Sequence, residues 1–188
     1  MNLIDQQFIA APQADVWAAL NDADVLRQCI PGCKEIDQVS PTEMRAKATI
    51  KVGPTTATFG GTVVFSNIQA PSSYTITGEG QGGVAGFAKG SAAVRLEPTE
   101  GGTILHYDVR ADVGGKIAQL GSRLIDATAR KLAGEFFEKF AAVVAPAAAI
   151  SETETEQDET SARKRRWFGL YEVMRRWLGV FKAKRANS

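Results

Sequence analysis

The chain has 188 residues, 44% hydrophobic and 23% charged, with a formal net charge of +1. Such a length gives one well-cored domain with appendages, or two very small domains, and the apolar share is that of an ordinary soluble protein. No run of 18 apolar residues is present to cross a bilayer as a helix.

The near-zero charge hides a strong segregation. Residues 151–160 hold Glu152, Glu154, Glu156, Asp158 and Glu159 with no base, whereas residues 161–188 hold nine Lys and Arg against Glu172 alone. The opening Met1-Asn2-Leu3-Ile4-Asp5 lacks the basic-then-apolar pattern of a secretory signal. With two cysteines in the chain, the expected setting is the reducing cytoplasm.

In chain order, residues 2–10 read as a first strand. Pro12 opens a short helix over 13–20, and Asn21 or Asp22 caps a second that Pro31-Gly32 ends. Strand patterns follow over 34–40 and 42–52, where Met44, Ala46, Ala48, Ile50 and Val52 alternate with polar residues. Ala57, Phe59, Gly61, Val63 and Phe65 share one face of the next strand. Runs at 73–78, 86–98 and 103–113 complete seven strands, the last with Leu105, Tyr107, Val109 and Ala111 on one face. No crossover helices separate the last six strands, so the sheet is an antiparallel meander.

Residues 115–144 then read as one long amphipathic helix, with Ile117, Leu120, Leu124, Thr128, Leu132, Phe136, Phe140 and Val143 at steps of three and four. The fold class expected is α+β, a helix-grip. A seven-stranded antiparallel sheet curves around one long C-terminal helix, two short helices follow the first strand, and a separate amphipathic tail helix ends the chain. Sheet and helix enclose a pocket. The boundaries are 1–145 for the domain, 146–162 for an acidic disordered linker and 163–188 for a basic amphipathic helix.

Several motifs invite chemistry. Gly80, Gly82 and Ala85 match a dinucleotide fingerprint formally, but a strand-like pattern follows where that motif needs a helix. The glycines at 78, 80, 82, 83, 86 and 90 mark a hairpin with bulges, or room at a pocket's lip. Cys29 and Cys33 flank Pro31-Gly32, and two Cys with one His fall short of a zinc set, so they read as structural. His106 has no marked nucleophile or acid beside it. Trp17, Phe59, Phe87, Tyr107, Leu120 and Leu124 are either plain core or the lining of a cavity, with Tyr107 and Thr128 its polar members.

The tail carries an apolar stripe of Trp167, Leu170, Tyr171, Met174, Trp177, Leu178 and Phe181, with Arg165, Arg166 and further bases at its flanks. Bases around a Trp/Phe/Leu face suit a helix lying in the interface of an anionic bilayer. A helix docked in a partner's groove is the competing reading. Nucleic acid is not expected, because the aromatics form one stripe rather than alternating with the bases.

With the Ile30-Pro31-Gly32-Cys33 corner, the Gly60-Gly61 pair, the Gly86-Phe87-Ala88-Lys89-Gly90 hairpin and the Gly115-Lys116-x-x-Gln119-x-Gly121 helix entry in order, the chain resembles a known family. It is similar over 1–145 to the CoxG-like family of carbon monoxide dehydrogenase subunits, within the START/polyketide-cyclase (SRPBCC) superfamily. The resemblance implies a cavity for a hydrophobic small molecule, with no covalent cofactor and a respiratory quinone, menaquinone or ubiquinone, as the ligand. The implied partner is a molybdenum hydroxylase such as carbon monoxide dehydrogenase, served at the inner face of the cell membrane. The implied role is that of a non-enzymatic carrier. An assembly or recruitment factor and a small cyclase/hydratase-like enzyme are the alternatives.

Overall fold

The computed structural model describes residues 1–145, which lie within one compact unit, Met1–Pro146. Strand β1 (Asn2–Ile9) leads into helices α1 (Gln13–Leu20) and α2 (Ala23–Cys29). Pro12 occupies the α1 N-cap, and the Asp22 carboxylate caps α2 by accepting from the Asp24 and Val25 amides. Strands β2 (Cys33–Ser40), β3 (Glu43–Val52), β4 (Thr55–Gln69), β5 (Ser73–Gln81), β6 (Phe87–Thr99) and β7 (Gly102–Gly114) follow, and helix α3 (Ser122–Val144) ends the unit.

The seven strands form one antiparallel sheet ordered β1-β7-β6-β5-β4-β3-β2. Its meander runs from β2 to β7, and β1 closes onto β7. The long strand β4 continues past Phe65 to Gln69, with a register irregularity between Ser66 and Gln69. The fold is the helix-grip expected from the alternating strands and the terminal helix.

The long helix differs in one respect. Lys116–Leu120 form a 3-10 turn, Gly121 takes a left-handed φ of 90°, and the α-helix starts only at Ser122. The phase set by Ile117 and Leu120 therefore does not carry into α3. Its inward face is Ile125, Thr128, Ala129, Leu132, Ala133, Phe136, Phe137 and Phe140, so the stripe expected through Leu124 is displaced by one position at its start.

The core is dense at the end of the sheet where α1 and α2 sit. Ile9, Val16, Cys29, Leu105 and Phe140 are fully buried there, and Thr103 donates its hydroxyl to the Ala11 carbonyl at 2.8 Å. Phe136 stacks on Phe140 and Phe137 on Tyr107. The linker 146–162 and the tail 163–188 lie outside the described residues.

Candidate functional site

The site follows from the register. Counting inward positions across β3 to β7, one rank reads Ala46, Gly61, Gly80, Ala88 and Val113, and the next reads Met44, Val63, Gly78, Gly90 and Ala111. Two neighbouring ranks thus carry little side chain in their middle. Further along, the ranks fill with Phe65, Tyr74, Val94, Leu96, Leu105 and Tyr107, which meet the phenylalanines of α3. The sheet is bare under the first half of α3 and packed under the second.

The bare region is a chamber of about 400 Å³ between sheet and helix, within the usual range for small-molecule sites, about 300–1,000 Å³. The sheet contributes Ala46, Ala48, Ile50, Val52, Phe59, Val63 and Val113; the helical side contributes Ile117, Ile125, Thr128, Ala129 and Leu132. A second chamber of about 430 Å³ adjoins it toward the aromatic end, and Met1, Ala46, Val63 and Ala129 border both. Small residues on α3, Ala129 and Ala133, keep the helix from filling the space.

Polar groups at the lining are few and already engaged. Thr128 donates its hydroxyl to the Leu124 carbonyl at 2.8 Å. Glu79 stands on the outer face by alternation, and its carboxylate accepts from the Gln81 amide at 2.9 Å. In the second chamber, burial pushes the Tyr74 phenol well above its ordinary value. Burial, helped by the Asp5 carboxylate, also raises Tyr107. Both phenols stay neutral at physiological pH and act as hydrogen-bond donors rather than bases. Such a space binds by taking apolar surface out of water.

The residues expected at the site are dispersed. Phe59 and Thr128 line the first chamber and Tyr107 the second. Trp17 packs on Tyr74, ring centroids 5.2 Å apart, and borders neither chamber. Phe87 lies over Gly114 and is 38% exposed. Leu120 ends the 3-10 turn, and Leu124 packs against Gly53 of the β3–β4 turn. Ile117, Ile125, Ala129 and Leu132 line the space without having been expected there as a set. Steps of three and four taken from Ser122 rather than from Gly115 find the last three.

Other candidates resolve simply. The run after Gly82 leads into strand β6, as its alternation required. Cys29 is fully buried and burial raises its thiol; Cys33 is half-buried and its thiol is raised for the same reason. His106 lies on the outer face, 3.1 Å from Glu97, whose carboxyl is held below its usual range first by Arg95 and then by His106. Two grooves on the outer face are lined by polar residues such as Lys89, Ser91 and Asp112, or Arg95, His106 and Asp108, and offer no apolar enclosure. Among the described residues no helix is long and apolar enough to cross a membrane.

The model of the CoxG family of carbon monoxide dehydrogenase subunits matches residues 6–145, about three quarters of the chain. The chain belongs to this family. No curated protein sequence matches it. Among solved structures, a conserved protein from Geobacillus kaustophilus superposes with a TM-score of 0.73 at 27% identity, covering 78% of this chain and 96% of that one. A START superfamily protein from Mycobacterium smegmatis gives 0.59 at 14% identity, over 76% and 96%. An aromatase/cyclase from a Streptomyces species gives 0.54 at 12% identity, over 77% and 93%. The last two likenesses concern the fold alone, which is START-like.

Proposed function

We propose that this protein is a membrane-associated carrier. It holds an apolar molecule, a respiratory quinone such as menaquinone or ubiquinone, in the chambers beneath α3. It thereby links a molybdenum-containing carbon monoxide dehydrogenase, or a related hydroxylase, to the membrane respiratory chain. The observation that carries this reading is the pair of small-residue ranks, with Gly61, Gly78, Gly80, Ala46 and Ala88 leaving an apolar chamber where a packed core would otherwise be. Burying an isoprenoid chain there contributes about 0.8 kcal/mol per CH₂.

The residues present fit a quinone. The first chamber suits its tail, and the neutral phenols of Tyr74 and Tyr107 in the second are donors available to a ring carbonyl. The quinone, when bound, supplies the electron-accepting chemistry, and the protein encloses and orients it. No acid–base pair among the described lining residues supports the alternative of a cyclase-like enzyme, so we read a binding protein. Membership of the CoxG family supports the choice of partner. The basic, aromatic sequence of 163–188 supports attachment to anionic lipid on the inner face of the membrane.

The test is genetic and enzymatic. Deleting the protein from its host should leave the dehydrogenase active with soluble dyes but uncoupled from respiratory oxygen consumption. Loss of dye activity as well would favour an assembly factor. No change in either assay would end both readings.

A further inference from the structure

Three loops meet at one end of the unit: the β3–β4 turn at Gly53-Pro54, the β5–β6 loop Gly82–Gly86, and the 3-10 turn entering α3. A Cβ on Gly53 would come within 2.7 Å of Leu124, and Gly86 and Gly115 approach so closely that a Cβ on either would strike the other's main chain. Each loop also bounds the first chamber. Val52 and Ile117 line it directly, and Gly82 lies against the ring of Phe59, another lining residue.

This end turns apolar side chains outward. Val84 is 78% exposed and Phe87, beside it, 38%. The stretches 51–57, 80–88 and 113–125 contain Lys51, Lys116 and Arg123, all exposed, and no acid. The nearest acids in the chain are Glu79 and Asp112, which flank Lys89 across the outer face, and Asp126, half-buried in the first turns of α3. At the opposite end of the strands and on the helices there stand Asp22, Asp24, Glu43, Glu97 and Glu100. Charge is therefore polarised along the strands, positive at the chamber's closing loops.

An exposed apolar tip inside a basic collar matches the layered chemistry of an anionic bilayer, with headgroups outside and acyl chains beneath. We propose that these loops are a second membrane contact, independent of the tail. Val84 and Phe87 enter the interface, while Lys51, Lys116 and Arg123 meet anionic headgroups, so that the loops closing the chamber face the lipid. The use given to this contact rests on the carrier reading, but the contact itself does not.

The full chain tests it. In a Cys33→Ser background, with Cys29 buried, Val84→Cys is labelled with an environment-sensitive fluorophore and mixed with vesicles of phosphatidylcholine and phosphatidylglycerol. The expected result is a blue-shifted, brighter emission that shallow spin-labelled lipid quenches, with no change for the same label at Ile4→Cys. Changing Lys116 or Arg123 to Gln should lower the affinity of this contact roughly fivefold for each base removed. A Val84 label that stays aqueous while the chain floats with vesicles would overturn the proposal and leave the tail as the contact. A blue shift on concentrating the chain without lipid would overturn it in favour of a contact between copies. Extraction of the same sample keeps the two readings apart. A lipid-facing label on a chain that holds no apolar molecule sinks the carrier and leaves the docking surface standing.

Discussion

Gly61 and Gly80 are partners across β4 and β5 and answer to different constraints. A Cβ on Gly61 would run into the main chain of Glu79 and Gly80, whereas one on Gly80 meets nothing nearer than the Phe59 Cβ at 3.8 Å. Gly61→Ala should therefore cost about 1–3 kcal/mol of stability as overpacking. Gly80→Val should leave stability nearly unchanged and weaken ligand binding roughly tenfold or more, because it fills the chamber floor. Chemical denaturation and a quinone titration separate the two effects. Gly134, exposed on α3 with open space around its Cβ position, gives a control in the other direction: Gly134→Ala should stabilise by about 1 kcal/mol. Tyr74 gives a pH signature. Its phenol value is raised in the folded state, so the folded protein keeps a proton that the unfolded chain loses, and stability falls as pH rises above about 10. Tyr74→Phe lacks that dependence, so its stability relative to the natural protein should improve across the same alkaline range in thermal melts.

At the scale of elements, α3 does two jobs along its length. Its second half seals the core through Phe136, Phe137 and Phe140, the last fully buried. Phe140→Ala should lose about 3–5 kcal/mol, and equilibrium unfolding would show it. Its first half roofs the chamber with Ile125, Thr128, Ala129 and Leu132. The strands are legible in the sequence because alternation is a strict period-two signal, and the inward faces read for β3, β4 and β7 are the faces that line the chambers. The start of α3 is not. Gly121 stands between two apolar runs of matching period, and only its left-handed φ separates the 3-10 turn from the helix. Large apolar residues are the natural first choice for a lining, yet the site is defined by what is missing at Gly78, Gly80, Ala46 and Ala88. That absence becomes visible only when the register places four strands side by side.

For the whole molecule, an apolar chamber is joined to a membrane through a sequence that changes character after residue 145. A flexible linker of about 17 residues spans roughly 23 Å, enough for a domain to work beside the surface its tail occupies. Deleting 163–188 should leave the domain folded and greatly reduce vesicle flotation, and Trp177→Glu should weaken binding at every salt concentration. Replacing the five acids of 151–160 by Ser and Gln should tighten binding more at low salt than at high, because exposed charge pairs are weak and screened. The central claim is that the space under α3 holds an apolar molecule, and native mass spectrometry of the full chain, purified gently from its own host, tests it most directly. The expected result is one bound apolar molecule per chain, identified as a quinone on extraction and largely lost in Gly80→Val. A chain of bare polypeptide mass, with no quinone in the extract and no uptake when quinone is added, would contradict it.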